Sequence, residues 1–291
     1  MDLRAVKRGS GFSISVCLPA RNEESTVGVL VAEILNARGG SVGLVDEVVV
    51  IDDGSTDRTA EVAAAAGARV VREATILPDA GPGSGKGNAL WKSLYECRGD
   101  LICWIDADLR NFRAEYLDRL VAPLLTQADV VFVKAYYDRS YAGEPTGGGR
   151  VTELVARPLL SLLFPKLADI VQPLGGEYAG RRETFEVLPF VEGWGVELGL
   201  LIDVVDRFGR DAVAQVDLGV REHRNRPLTD LSPQALAILA TALRRAGFVE
   251  SETAELLRYA PDGTLDALSV EVRERPPMIT VQEYRVRHFD Q

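Results

Sequence analysis

The chain has 291 residues, of which 46% are hydrophobic and 26% are charged. These fractions are typical of a soluble globular protein and exclude a disordered or collagen-like chain. Its 33 lysines and arginines against 43 aspartates and glutamates give a net charge of −10, opposite in sign to that of most nucleic-acid-binding proteins. No nucleic-acid partner is therefore expected, although a local basic cluster can still bind a small anion.

The cysteines and the apolar segments predict a cytoplasmic protein without a membrane span. Cys17 and Cys103 lie in apolar runs, Cys97 is expected on a helix, and their spacing is not that of a metal site. An odd number of cysteines argues against a disulfide framework and favours a reducing compartment. No run approaches the roughly 18 apolar residues that a span requires, and the polar first ten residues do not resemble a signal peptide.

Strand and helix signals alternate through the first half of the chain. Strands are predicted at 12–20, 45–53, 68–73, 101–108 and 128–137, and helices at 24–37, 55–67, 88–98 and 113–126. Ser55 or Thr56 is the expected cap of the second helix, which should end at Gly67. This alternation predicts an α/β fold with a mostly parallel sheet, in which ligands bind beyond the carboxyl ends of the strands.

The second half of the chain is less regular. The pattern predicts a glycine-rich loop at 143–150, helices at 151–163, 195–208, 233–247 and 252–259, a polar loop at 172–182, and a strand from 213 that leads into a basic loop. The rest of the chain, a tail that contains Pro276 and Pro277, gives no clear pattern.

Two carboxylates, Asp106 and Asp108, follow the apolar segment LICWI. Alternate side chains of an extended segment point the same way, so both carboxylates should face one ligand. Hard oxygen ligands of this kind suit Mg²⁺ or Mn²⁺ bound together with substrate phosphates. Helix capping is the alternative interpretation, because D-x-D also occurs by chance.

The segment GPGSGKGNAL contains Lys86 among glycines. It is not a phosphate-binding P-loop, because that pattern requires glycine at Ala80 and serine or threonine at Gly87. Either Lys86 reaches a phosphate or the segment is simply a flexible loop.

Two further features are candidates for chemistry. A basic loop at 221–226 contains Arg221, His223 and Asn225, and offers an imidazole to a metal and guanidinium groups to phosphate. Glu197 begins an apolar helix, where it is either a reactive carboxylate or an acid favoured by the helix dipole.

Taken in order, the motifs are similar to those of the glucosyl-3-phosphoglycerate synthases, retaining glycosyltransferases with a GT-A fold. The matching segments are PARNEE, DDGSTD, GKG-AL, DAD, GGGRVTELVARPLL, QPLGGEY, GVELGLLID and LGVREHRNRPL, which together cover residues 12–230. DAD and DDGS are shared by many GT-A enzymes, whereas GGGRVTELVARPLL and VREHRNRPL are specific to this family.

The resemblance implies transfer of glucose from UDP-glucose to the 2-hydroxyl of 3-phosphoglycerate, with retention of the α configuration. It also implies a donor site in which Pro19, Ala20 and Glu23 contact the nucleoside, Asp52 and Asp53 the base, Lys86 the donor, Asp106 and Ala107 the ribose side, and Arg221 the diphosphate. Asp108 and His223 would ligate Mg²⁺ or Mn²⁺.

For the acceptor, the resemblance implies binding by Arg150, Thr152 and Asn225, with Gly149 allowing close backbone approach. Glu197 would lie near the reacting centre, and the carbonyl of Leu174 would face the anomeric carbon. Retention requires either double displacement by a carboxylate or front-face attack within an ion pair. We favour front-face attack, with Glu197 orienting the sugar or the acceptor.

The expected architecture is one continuous GT-A domain with a smaller acceptor-binding C-terminal part. Residues 1–135 would bind the nucleotide sugar, 136–232 the acceptor, and 233–291 would form C-terminal helices and a tail. The apolar helices at 151–163 and 195–208 could supply the interface of a homodimer.

Three alternatives to this function are open at the level of sequence. A mannosyl-3-phosphoglycerate synthase would use GDP-mannose, and Asp52 or Asp53 could accept a hydrogen bond from either base. A polyprenyl-phosphate sugar transferase shares PARNE and DDGS, but GGGRVTEL and the lack of a span disfavour it. The third is an inactive protein that binds a sugar nucleotide.

Overall fold

The computed structural model describes residues 2–38, 43–141, 144–147, 149–221, 227–259 and 262–288. Its strands are β1 (Ile14–Ala20), β2 (Glu47–Asp52), β3 (Arg69–Arg72), β4 (Leu101–Trp104), β5 (Phe132–Tyr141), β6 (Glu144–Gly147), β7 (Tyr178–Arg181), β8 (Phe190–Val191), β9 (Val213–Arg221), β10 (Thr253–Tyr259), β11 (Leu265–Glu271) and β12 (Glu274–Arg275). Its helices are α1 (Leu3–Ser10), α2 (Val27–Arg38), α3 (Thr59–Ala65), α4 (Gly85–Glu96), α5 (Glu115–Thr126), α6 (Arg157–Leu163), α7 (Arg182–Glu186), α8 (Val196–Phe208), α9 (Leu228–Arg245) and α10 (Gln282–His288). Among these described helices, none has the length and hydropathy needed to cross a bilayer.

The central sheet has the strand order β3-β2-β1-β4-β7-β5-β6, and β9 pairs with β5. Strands β3, β2, β1 and β4 run parallel, as do β5 and β9, whereas β7 is antiparallel to both of its neighbours. The predicted mostly parallel α/β sheet is therefore confirmed. The carboxyl ends of β1, β2, β4 and β9 and the segment that enters β7 meet at one edge of this sheet.

Helices cover both faces of the sheet, which explains why its strands are almost continuously apolar. Along β1, Cys17 faces the hydrophobic cluster on one side, and Val16 and Leu18 face the cluster on the other. Trp104 of β4 anchors the first cluster, with its ring centroid 4.8 Å from that of Phe185. Because side chains along each strand alternate between the two faces of the sheet, this alternation fixes which residue at each strand end faces the site.

The helix expected from Ser55 begins instead at Thr59, so the predicted caps are wrong. The Oγ of Ser55 accepts from the Asn22 backbone N–H at 3.0 Å, and the Thr56 N–H donates to Asn22 Oδ1 at 2.8 Å. Asp57 accepts from the Thr59 N–H at 2.9 Å. These side chains tie the loop after β2 to the loop after β1 and are therefore not available at the expected cap positions.

The glycine-rich segment around Lys86 forms the first turn of α4, three residues earlier than the helix predicted from 88. A side chain at Gly87 would place its Cβ 1.9 Å from the Val191 carbonyl oxygen. Glycine therefore lets this turn pack directly against β8. The flexible-loop interpretation is wrong, because Lys86 lies on a helix whose position is fixed by packing.

The helix predicted at 252–259 is also wrong, because these residues form β10 of a two-stranded antiparallel hairpin with β11. Leu256 pairs with Leu268, and Val270 packs with Ala237 of α9. The partner strand lies in the tail that gave no clear pattern, so local sequence could not reveal the pairing. Helix α9 begins at Leu228, five residues before the predicted start.

Arg182 holds the carboxyl end of α4 against the sheet. Its guanidinium donates to the carbonyls of Leu94 at 2.7 Å and Gly99 at 2.8 Å, and also to that of Cys97. Carbonyls at a helix end have no partner within the helix, so one side chain here satisfies several acceptors at once.

We expect Arg182→Met to lower the free energy of unfolding by roughly 2–4 kcal/mol, because it leaves buried carbonyl groups without donors. Urea denaturation followed by circular dichroism measures the change. Arg258→Met is the control, since its pair with Asp266 is exposed and should contribute less than about 1 kcal/mol. An equal effect of both variants would contradict this role for Arg182.

Candidate active site

A cavity of about 780 Å³ opens at the edge of the sheet where the strand ends meet. It brings together most of the predicted site residues, although they come from distant parts of the chain. Those lining it are Pro19, Ala20, Glu23, Asp53, Lys86, Asp106, Ala107, Asp108, Gly149, Arg150, Thr152, Leu174, Glu197 and Arg221.

One end of the cavity is formed by the loops after β1 and β2. Asp53 lines it, and burial raises the pKa of this carboxyl while Arg21 opposes the shift. Asp52 is absent from the lining. Its Oδ1 accepts from the Ser55 N–H at 3.2 Å, so it holds the turn, and the expected contact with a base rests on Asp53 alone.

Lys86 joins two carboxylates at the centre of the cavity. Its ammonium lies 2.6 Å from Glu197 Oε1 and also donates to Asp106 Oδ1. Burial alone would lower the pKa of Lys86, but Asp106 and Glu197 raise it well above its ordinary value. Lys86 therefore carries a full positive charge, and the first turns of α4 and α8 are tied together.

Arg221, the last residue of β9, is the second cation of the site. Its Nη2 lies 3.0 Å from each of Asp106, Asp108 and Glu177, and its Nη1 donates to the Tyr137 hydroxyl at 2.9 Å. The side chain is only 6% exposed. A buried guanidinium group is stable here because carboxylates surround its N–H donors and compensate its charge.

The two aspartates of the D-x-D segment are in different surroundings. Asp106 is held between Lys86 and Arg221, and despite its burial these cations lower its pKa well below the usual range. Asp108 is more exposed, at 38% against 22% for the Asp106 side chain. Burial, and after it repulsion by Asp108, raises the pKa of Glu23, which lines the same cavity.

This donor set fits a hard divalent cation. Asp108 offers a partly exposed carboxylate oxygen, and Glu23 adds a further carboxylate to the lining of the same cavity. Within the described ranges, no three histidine, cysteine or acidic side chains are grouped so that they could hold a metal. Of the two predicted ligands, His223 lies outside the described residues, as does Asn225.

Another wall of the cavity comes from residues 149–152. Gly149 has φ +74°, a left-handed conformation that favours glycine. Arg150 follows at once and Thr152 opens a π-helical turn that continues into α6. A π-turn inside a helix often marks a functional site, because its wider backbone redirects side chains.

Residues 172–177 form a tight segment between this wall and β7. The Gly175 N–H donates to the Gln172 carbonyl at 3.1 Å, and Leu174 lines the cavity. A Cβ at Gly176 would lie 2.1 Å from the carboxylate of Asp106. The glycine pair therefore lets this backbone pass directly beside the acidic strand end.

Sequence reasoning missed three groups that hold the charged residues. Glu177 and Tyr137 contact Arg221, and Lys134 lies beneath the 172–177 segment with 1% exposure. The available signal was a lysine inside the apolar run VVFVKAYY, which must find polar partners once the strand is buried. Trp194 was also missed, although it lines the cavity after Gly193.

Comparison with known proteins agrees with this geometry. Residues 15–187 match the model of glycosyl transferase family 2. Glucosyl-3-phosphoglycerate synthase of Mycolicibacterium smegmatis is 49% identical, over 97% of this chain and 93% of its own. The protein of the same name from Petrotoga mobilis is 42% identical, over 98% of this chain and 91% of its own.

Solved structures extend the likeness to three dimensions. The glucosyl-3-phosphoglycerate synthase of Mycobacterium tuberculosis in complex with Mn²⁺, UDP-glucose and phosphoglyceric acid has a TM-score of 0.86 at 46% identity, over 95% of this chain and 93% of that one. Its complex with Mg²⁺ and UDP has a TM-score of 0.87 at 47% identity, over 95% of this chain and 94% of that one. The GT-A fold expected from the sequence is confirmed. With a family model that matches more than half of its residues and near full-length relatives above 40% identity, the chain belongs to glycosyl transferase family 2, among the glucosyl-3-phosphoglycerate synthases.

Proposed function

We propose that this protein transfers glucose from UDP-glucose to the 2-hydroxyl of 3-phosphoglycerate, with retention of configuration and with Mg²⁺ or Mn²⁺. The observation that carries the proposal is the single cavity that joins Asp53, Asp108, Lys86 and Arg221 to Arg150 and Thr152. These residues provide separate places for a nucleotide, a diphosphate and a small anionic acceptor.

The donor diphosphate and the phosphoglycerate are both anions, on a chain whose net charge is −10. Lys86, which is 21% exposed, and Arg221, which is 6% exposed, supply positive charge beside the proposed diphosphate position. Their carboxylate partners fix the direction of each cation. A bound Mg²⁺ or Mn²⁺, held by Asp108 and His223, would supply Lewis-acid neutralisation of the leaving diphosphate. His223 follows Arg221 by two residues, and the contact of Arg221 with Asp108 supports this pairing.

The acceptor is assigned to the wall formed by residues 149–152. Arg150 can bind a carboxylate or phosphate through two parallel hydrogen bonds, and Gly149 leaves room for the acceptor beside the backbone. Thr152 and Asn225 complete the proposed set. Residues 1–135 thus contribute mainly to the donor side and residues 136–232 to the acceptor side of one domain.

Glu197 is best suited to orient groups rather than to attack the sugar. Its carboxylate is buried and ion-paired with Lys86 at 2.6 Å, so an oxygen that a nucleophile would need is already engaged. We therefore retain front-face attack, with Glu197 as an orienting carboxylate and the Leu174 carbonyl facing the anomeric carbon. Positioning and fixed charges would then lower most of the barrier.

A turnover screen tests the function directly. UDP-glucose and GDP-mannose are each offered with 3-phosphoglycerate, with and without Mg²⁺. We expect transfer from UDP-glucose only when the metal is present. The uridine donor is supported by the M. tuberculosis relative, whose structure contains UDP-glucose. A preference for GDP-mannose would overturn the assignment of the donor.

We also propose a cytoplasmic homodimer. Cys17, Cys97 and Cys103 are free and buried, which suits a reducing compartment. One face of the hairpin carries Leu257 and Tyr259, 57% and 78% exposed, opposite Ala267 and Leu265. Such an apolar face supports an interface between copies. Of the two helices expected from sequence to supply it, the one at 151–163 exposes Leu154 and Leu162. The expectation for 195–208 is wrong, because most apolar side chains of α8 are buried in the core.

The acceptor assignment predicts a selective effect of Arg150→Ala. Its KM for 3-phosphoglycerate should rise about 10- to 100-fold, because charged hydrogen bonds to the acceptor are lost. The KM for UDP-glucose should change by less than about 3-fold. Steady-state kinetics with each substrate varied in turn measure both values.

The control for Arg150 is Arg207→Ala, an exposed arginine at the far end of α8, which should leave both constants unchanged. Equal weakening of donor and acceptor by Arg150→Ala would contradict the acceptor role.

The metal assignment predicts that Asp108→Ala and His223→Ala each lower metal-dependent turnover by about 100-fold or more, as loss of a ligand does in metal sites. Calorimetry should show weaker binding of Mn²⁺ in the presence of UDP. Asp129→Ala, a change at an exposed carboxylate, is the control. Full turnover without added metal in either variant would exclude these ligands.

The homodimer predicts a mass in solution of twice the 31.6 kDa of one chain. Light scattering coupled to gel filtration measures it. Leu257→Lys combined with Tyr259→Lys should shift the mass toward that of one chain, because burial at the interface would remove each lysine ammonium from water at a high cost in free energy. A monomeric wild type, or a dimer that the double variant leaves intact, would exclude the hairpin interface.

A further inference from the structure

Lys134 is a charged side chain in an unexpected place. It is the third residue of β5, between Val133 and Ala135, and only 1% of its surface is exposed. Burial of an ammonium is strongly unfavourable unless specific partners compensate for the lost water. The partners of Lys134 therefore indicate why a lysine is present.

The ammonium of Lys134 has two close partners. It donates a hydrogen bond to the Gly175 carbonyl, and it lies 4.5 Å from the centroid of the Tyr178 ring. Among the described residues, no carboxylate forms an ion pair with it. Its direct contacts are thus with the backbone of the 172–177 segment and with the first residue of β7.

Charged groups surround Lys134 at longer range from several elements. Glu197 on α8, Glu177 and Asp106 attract its charge, whereas Lys86 on α4 repels it. Burial is the largest influence and lowers the pKa of Lys134 to about 8. The lysine is therefore charged at neutral pH and belongs to the same electrostatic cluster as Lys86 and Glu197.

The backbone that Lys134 holds is fixed on its other sides as well. The Ala135 N–H donates to the Glu177 carbonyl at 3.0 Å, and the Gln172 amide donates to the Tyr137 carbonyl at 3.4 Å. The Asp106 carboxylate fills the space beside Gly176. Lys134 adds a charged side-chain donor that sets the direction of the Gly175 carbonyl, next to Leu174 in the cavity.

We propose that Lys134 is a positioning residue for glucosyl transfer, whose buried ammonium fixes the Leu174–Gly175 backbone against the reacting centre and balances the charge of Glu197. Lys134 is not among the residues that line the cavity, so it would act through this backbone. The proposal rests on the proposed function, because the direction of this backbone matters only if the sugar is transferred beside it.

The decisive variant is Lys134→Met, which keeps the length of the side chain and removes its charge and its donor. We expect kcat to fall by about 100-fold, since displacement of a positioned group by 1 Å can have such an effect. Both KM values and the affinity for UDP with Mg²⁺ should stay within about 3-fold of the wild type. Turnover is expressed per UDP-binding site, so unfolded molecules do not enter kcat.

Lys7→Met is the matched control. Lys7 is also buried, at 8% exposure, but it pairs with Asp46 at 2.6 Å on the far side of the fold and does not line the cavity. Its removal should lower the urea midpoint and leave kcat unchanged. Lys134→Met should lower kcat, and this loss of kcat at an unchanged affinity for UDP is what distinguishes it from Lys7→Met.

A pH profile supplies a readout that a purely structural role would not move. In the wild type with Mg²⁺ and saturating substrates, kcat should be full below about pH 8 and fall above it, as Lys134 loses its proton. Lys134→Arg stays charged throughout this range, so the fall at high pH should disappear. The arginine variant also gives a second test should the methionine variant fail to fold.

Three results would overturn the proposal: a kcat of Lys134→Met within about 3-fold of the wild type, a loss confined to KM, or an unchanged fall at high pH in Lys134→Arg. The outcome is separate from that of the proposed function. If the wild type does not glucosylate 3-phosphoglycerate, the proposed function fails, and hydrolysis of UDP-glucose then provides the kcat for the same comparison.

Discussion

The active site depends on a balance of buried charges, in which two cations join several carboxylates at one edge of the sheet. Lys86 connects Asp106 to Glu197, and Arg221 connects Asp106 to Asp108 and Glu177. Either cation alone would leave carboxylates uncompensated in a medium of low dielectric constant, where the energetic cost is high. Because the ion pairs cross between elements, they also fix α4, α8, β4 and β9 relative to one another. The site is therefore organised before any substrate binds.

The parallel topology explains why so many anionic groups can meet. The ends of β1, β4 and β9 lie at the same edge, and β7, running the other way, brings its entry segment 172–177 to that edge. Helices α4 and α8 present their first turns there, and glycines allow the contacts: Gly87 against Val191 and Gly176 against Asp106. The result is a polar cavity supported by two hydrophobic clusters, one on each face of the sheet.

Local patterns identified the features that depend only on nearby residues. Apolar runs located β1, β2, β4 and α8, and the carboxylates after LICWI were placed correctly at a strand end. The errors share one cause, which is that a distant segment competed for the same residues. Ser55 and Thr56 bond to Asn22 instead of capping α3, and residues 253–259 pair with β11 instead of forming a helix.

By itself the sequence determined the α/β class, the family resemblance and 14 of the residues that line the cavity, because each of these is recorded in short motifs and in the alternation of strand and helix. Only the tertiary structure decided how those residues are used. It tied Lys86 to Glu197 as well as to Asp106, placed Asp52 in a turn outside the cavity, and put Lys134 beneath Gly175. The ion pair of Lys86 with Glu197 and the hydrogen bond from Lys134 to Gly175 join residues tens of positions apart. They arise from packing and charge compensation, which no local pattern contains.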